Sequence, residues 1–188
     1  MSFNITLELE NYAHEVKQKY GVPESVTLGQ AIYESSLGKS NLAQKANNWF
    51  GMKGSGTAGS YNGWQKFNSV QESFLAYGKL LSSSRYTKYT NNAKTSAEYL
   101  QGVVKGGYCP DDGYVSNVLS IIQSNNLEKY NTGTYVGTSG NDTTETIPNT
   151  TGFGSGLSEI GAKLTTGVFI IILFIMSILC ITKIFSKG

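Results

Sequence analysis

The residues best suited to chemistry centre on Glu34, in the run GQAIYESSLG. Helical spacing puts Leu28, Ala31, Ile32 and Ser35 about a turn away, so apolar atoms enclose the base of its side chain. Desolvation penalises a charged carboxylate and raises its pKa, which suits a general acid that must stay protonated near neutral pH. Other chemistries are poorly provided for. The chain has one histidine, His14, and no local motif joins it to a serine or cysteine nucleophile. One His with Cys109 and Cys180 is too few for a cysteine-rich zinc site or for a disulfide-stapled secreted fold. Phosphate loops and nucleotide fingerprints are missing from the sequence, so neither a metal nor an organic cofactor is expected. A net charge of +2 argues against nucleic acid as a partner.

The elements that position Glu34 can be read from apolar spacing. Leu9, Tyr12, Ala13, Val16 and Tyr20 share one face of a first helix, which Gly21 and Pro23 end. Thr27-x-x-Gln30 has the form of a capping box opening a second helix that Gly38 closes. Residues 47–65, rich in Gly, Asn and aromatics, read as loop or a short hairpin. Ser69-x-x-Glu72 is a second capping box, opening a helix that uses Val70, Phe74, Tyr77 and Leu81. Ala97, Leu100, Val103 and Val104 mark a fourth helix, and Val115, Val118, Leu119, Ile122 and Leu127 a fifth. The globular part, residues 1–130, is therefore expected to be mainly α with one small irregular or β lobe.

Composition then changes twice. Residues 131–163 are dominated by Thr, Gly, Asn and Ser without apolar period, the signature of a flexible linker. Residues 164–182 carry no charge. As a helix they would span about 28 Å, close to the hydrocarbon thickness of a bilayer, so a single C-terminal transmembrane helix is expected. Residues 183–188 form a basic tail, with Lys183 and Lys187 after the apolar run and Lys163 before it. The N-terminus does not read as a signal peptide, since Glu8, Glu10 and Glu15 fall where an apolar stretch would lie.

The stretch QAIYESSLGKSNLAQKANNWFGMKG resembles the catalytic helix and following loop of family-73 glycoside hydrolases, the glucosaminidase domains of bacterial autolysins and phage lysins. Glu34, Ser35, Gly38, Lys39, Ser40 and residues 46–54 match that pattern. FNSVQESFLAY at 67–77 and GYCPDDGYVSNVLSII, with Tyr108, Asp111 and Tyr114, resemble later blocks in the family's order. The resemblance covers about residues 10–130. It implies a lysozyme-like fold with a cleft between a helical body and a small lobe. The implied substrate is peptidoglycan, cut in its β-1,4 glycan strand as by an endo-β-N-acetylglucosaminidase. Glu34 would be the general acid, with Tyr108 and Tyr114 lining the site. Asn48, Trp49 and Phe50 would shape the cleft, and Tyr61 and Trp64 could stack on sugar faces.

One departure bears on mechanism. The family usually places a second carboxylate in the lobe, whereas residues 35–71 contain no Asp or Glu. Glu72 and Asp111 are the remaining candidates for the second acid, with Asp112 beside the latter. Two carboxyl groups are the usual requirement of glycoside cleavage. One suffices if the substrate's 2-acetamido group attacks the anomeric carbon, or in a lytic transglycosylase, where one Glu serves as acid and then base. A non-catalytic wall-binding or assembly module on the same scaffold is the other alternative. With the apolar C-terminal run, the resemblance extends to virion-associated lytic enzymes of membrane-containing phages, which open the wall during entry. It implies a membrane-anchored protein facing the wall, with lipid bilayer and other virion or envelope proteins as partners.

Overall fold

The computed structural model describes residues 3–132. Helix α1 (Leu7–Tyr20) opens on Thr6, whose side chain accepts from the Leu9 amide, and closes on Gly21 in the left-handed region. Its buried stripe is Leu9, Ala13 and Val16, as the apolar spacing requires. Helix α2 (Glu24–Ser35) follows, and every one of its residues is buried. It lies at the centre of the body, against α1, against α7 (Tyr114–Ser124) and against a closing 3-10 turn at Leu127–Thr132. Asn131 fastens that turn, accepting from the Ser25 amide at 3.0 Å and donating to the Ser25 hydroxyl at 2.8 Å.

The start of α2 corrects the sequence reading. The helix begins a turn earlier than the expected capping box, with Pro23 at its N-cap position, so Thr27 is an interior residue. Gln30 is interior too and bonds to tyrosines instead of to a cap. A helix enclosed on all sides has no apolar stripe to mark its first residue, which is why periodicity misplaced it.

Beyond α2 the chain makes α3 (Asn41–Ala46), capped by Ser40, and then the lobe. The lobe is a hairpin of β1 (Ser60–Tyr61) and β2 (Trp64–Gln65), with Tyr61 opposite Trp64. Asn62 and Gly63 both have positive φ, the conformation of a two-residue hairpin turn whose twist matches the strands. Helix α4 (Val70–Leu81) opens on Ser69, whose hydroxyl accepts from the Glu72 amide as the capping box predicts. Helices α5 (Ser84–Thr90) and α6 (Ser96–Lys105) complete the path to α7. The short helices α3 and α5 were not visible as apolar periods; each is seven residues or fewer.

An aromatic cluster joins lobe and body. Phe50 stacks on Tyr77 at 4.0 Å and meets Phe74 edge-on at 5.0 Å, and all three are buried. Truncating such a buried Phe to Ala costs about 3–5 kcal/mol. The close approach of α2 and α7 depends on Gly29, where a Cβ would lie 2.7 Å from Ile122. That approach brings Tyr114, at the start of α7, against the end of α2.

The fold is thus the mainly helical, lysozyme-like body with a small lobe. The transmembrane helix in the expected fold class does not stand. No helix among the described residues is long and apolar enough to cross a membrane. Residues 164–182, on which that expectation fell, lie outside the described residues, as do 133–163 and the basic tail.

Candidate active site

Glu34 lies one residue before the C-terminal end of α2 and is 8% exposed. The Tyr114 hydroxyl donates to its Oε1 at 2.9 Å. Gln30, one turn earlier on α2, donates through Nε2 to the Tyr114 hydroxyl at 2.6 Å and accepts from the Tyr77 hydroxyl through Oε1. Every hydrogen in this buried chain therefore points toward the Glu34 carboxylate: Tyr77 to Gln30, Gln30 to Tyr114, Tyr114 to Glu34. In a low-dielectric interior such a chain fixes each member's orientation.

Three tyrosines surround the carboxylate. Burial pushes Tyr108 and Tyr114 well above the ordinary tyrosine range, and the Glu34 charge adds to it. Tyr77 is raised in the same direction, by burial first and by Tyr99 and Glu34 next. All three stay protonated near neutral pH and can act only as neutral hydroxyls there. The Tyr108 ring lies 5.9 Å from that of Tyr114. Its hydroxyl is buried near Tyr114 and Glu34 but makes no hydrogen bond of ordinary geometry. Arg85 braces the loop that carries Tyr108, donating to the carbonyls of Gly106 at 2.6 Å and Gly107 at 3.0 Å.

The candidate second acids differ in surroundings. Glu72 is engaged where the lobe meets α4: it accepts from the Thr57 hydroxyl and from the Asn68 amide at 3.0 Å. Those bonds, Thr57's first, push its pKa down. Asp111 accepts from the Gly113 amide at 3.1 Å through Oδ1, while its Oδ2 is buried without a hydrogen-bond partner. Tyr33 feels both carboxylates: burial raises its pKa first, and the charges of Glu34 and then Asp111 add to that. Its ring meets Tyr114 edge-on at 5.2 Å. Asp111, unlike Glu72, thus shares a neighbour with Glu34.

The residues expected to shape the cleft do so mainly from within. Asn48 is buried and clamps the loop, donating to the Met52 and Gln65 carbonyls at 2.8 and 2.9 Å and accepting from the Met52 amide at 3.0 Å. Trp49 packs on Gly38, where a Cβ would come within 2.3 Å of its ring, and on Phe74 at 5.8 Å. Phe50 belongs to the core stack. Tyr61 and Trp64 remain half-buried on the lobe, Tyr61 reaching Asn41 at 3.4 Å and Trp64 lying under the Lys53 ammonium at 5.2 Å. Sequence reasoning missed Gln30, Tyr33 and Tyr77 as parts of the site. Gln30 stands four residues before Glu34, hence on the same helix face, and that spacing was the available signal.

Residues 10–127 match the glucosaminidase family model, described as mannosyl-glycoprotein endo-beta-N-acetylglucosaminidase. The chain belongs to the glucosaminidase family. This is the family its motifs resemble. The glucosaminidase chain is 30% identical over 151 residues to the exo-glucosaminidase LytG of Bacillus subtilis (strain 168), covering 65% of this chain and 51% of the relative. It is 28% identical over 165 residues to an autolysin of Enterococcus faecalis (strain ATCC 700802 / V583), covering 72% of this chain and 22% of the relative. The chain thus spans about half the length of the first and about a fifth of the second. Among solved structures, the catalytic domain of the autolysin Auto from Listeria monocytogenes superposes with a TM-score of 0.59 at 28% identity, over 69% of this chain and 90% of that one. An N-acetylmuramoyl-L-alanine amidase from Staphylococcus aureus superposes with a TM-score of 0.61 at 26% identity, over 67% of this chain and 42% of that one. Glu34 and its tyrosines fall within the matched residues of this glycoside hydrolase family.

Proposed function

We propose that this chain hydrolyses the glycan strand of peptidoglycan in the manner of an endo-β-N-acetylglucosaminidase, with Glu34 as general acid. The observation that carries the reading is the Glu34–Tyr114 bond, which holds a nearly buried carboxyl in one orientation in a chain of this family. The names of the relatives, an exo-glucosaminidase and an autolysin, agree with wall glycan as substrate. In the reaction Glu34 gives its proton to the glycosidic oxygen as the bond to the anomeric carbon breaks. The 2-acetamido oxygen attacks that carbon from the opposite face, and water then adds to the anomeric carbon and opens the resulting ring, giving a proton back to the Glu34 carboxylate. Such work places the domain on the wall side of an envelope, cellular or virion.

The same shortage of carboxylates supports a second one-glutamate reading. The lobe, like all of residues 35–71, has no carboxylate, and Glu72 is held in the α4 cap. A lytic transglycosylase needs only one Glu, which protonates the leaving oxygen and then takes the proton from the muramic 6-hydroxyl as it closes on the anomeric carbon. Mass spectrometry of fragments released from purified peptidoglycan separates the two. Reducing N-acetylglucosamine ends are expected, whereas 1,6-anhydromuramic ends would replace hydrolysis with transglycosylation.

A further inference from the structure

A cleft of about 370 Å³ adjoins the site, with Tyr108 as the residue common to both. Its lining includes Lys53, Lys79 and Arg85 and contains no Asp or Glu. Met52, Ala76 and Leu80 supply apolar surface. Leu80 is 38% exposed, one of only two exposed large apolar side chains among the described residues. Arg85 is fixed in place by its bonds to the Gly106 and Gly107 carbonyls, which leave its charge at the rim. Lys79 lies exposed near the end of α4.

The aromatic members of this lining, Phe50, Tyr86 and Tyr108, are buried and offer little open face to a sugar, and a neutral sugar would leave the three cations without a counter-charge. Three cations around the exposed Leu80 and the more enclosed Ala76 and Met52 suit a ligand that alternates small methyl groups with carboxylates. The peptide stem on the lactyl group of muramic acid has that chemistry, carrying alanine methyls and free carboxylates on the same polymer. We propose that this cleft binds the peptide stem of the glycan substrate, so that the domain reads stem-bearing strands in preference to bare ones. The inference rests on the wall-glycan reading above. It assigns Lys79 and Arg85 to stem carboxylates and Leu80 with Met52 to alanine methyls.

The test is a calorimetric titration of the full chain carrying Glu34→Gln with two ligands. One is the N-acetylglucosamine–N-acetylmuramic acid disaccharide with its tetrapeptide stem, and the other is the same disaccharide without the stem. The stem is expected to tighten binding about fivefold to tenfold, the scale of one or two partly exposed ion pairs, and added salt is expected to weaken that advantage. Adding Lys79→Glu should remove most of it, and Lys79→Arg should keep it. Equal affinity for the two ligands, or an advantage that survives Lys79→Glu, would overturn the proposal. Because affinity is read without turnover, failure of the wild-type chain to cut walls would count against the hydrolase reading and leave this comparison interpretable.

Discussion

The Tyr114 hydroxyl donates to Glu34 Oε1 at 2.9 Å across a sequence separation of 80 residues. The bond ties the last turn of α2 to the first turn of α7 and sets which way the carboxyl faces. Its donor is itself held by Gln30, so the orientation is fixed from the core outward.

Tyr114→Phe removes that donor and leaves Gln30 Nε2 without its acceptor. Cleavage of purified walls is expected to fall about tenfold to a hundredfold, the usual scale for misplacing a general acid. The sign of the pH effect follows from the bond. A hydroxyl donating to a carboxylate favours the ionised form, so its loss raises the pKa of Glu34. The limb of the rate profile that falls as the acid ionises should therefore move to higher pH. An unchanged profile with a reduced rate would assign Tyr114 a packing role only.

Asp111 and Glu72 make opposite predictions. Asp111 shares Tyr33 with Glu34, whereas Glu72 is bonded to Thr57 and Asn68. If a second carboxylate assists, Asp111→Asn should lower kcat about tenfold or more with little change in KM. Glu72→Gln should instead lower the melting temperature and loosen the lobe. Steady-state kinetics with melting curves on both variants separates the cases.

The loop after α2 is held by packing that small changes disturb. Gly38 has a φ of 75°, and a Cβ there would meet the Trp49 ring at 2.3 Å. Gly38→Ala is expected to destabilise the fold by about 1–3 kcal/mol and to shift Trp fluorescence as Trp49 moves. Asn48→Ala leaves a buried amide and two carbonyls without their side-chain partner and should cost about 2–3 kcal/mol in urea unfolding.

Alkaline pH should unfold the protein through its buried tyrosines. Tyr77, Tyr108 and Tyr114 lie well above the ordinary value of 10.0. Below that value both folded and unfolded chains keep these protons, and stability is full. Above it the unfolded chain releases protons that the folded chain retains, so stability falls as pH rises. Urea midpoints should drop between about pH 9 and about pH 11, with phenolate absorbance from these residues appearing only on unfolding.

Much of the body could be read from the sequence because its outer helices have one wet face. The stripe Leu9, Ala13, Val16 and the cap at Ser69 are local signals, and both appear as expected. The centre was harder to read. Burial on all sides of α2 erases the amphipathic period that would mark its first residue, and Gln30 has the spacing of a cap residue although it is the hub of the tyrosine chain. Glu34 stands out by its helical setting, but Tyr108 and Tyr114 can be set beside it only through motif resemblance, since the Glu34–Tyr114 contact depends on α2–α7 packing that no local pattern encodes. Phe50 lines the cleft and also stacks in the core on Tyr77, and half-buried Trp49 packs on Phe74, a double role that an aromatic's sequence context does not reveal.

The central claim is that Glu34 is the acid of a wall-cutting enzyme. The most direct test is the release of soluble glycan fragments from purified peptidoglycan by the full chain and by Glu34→Gln, with melting curves to show that both are folded. The account predicts release by the wild-type chain and a loss of at least about a thousandfold in the variant, whose melting temperature stays close to wild type. Equal release by a folded Glu34→Gln protein, or no release by either on several wall types, would contradict it.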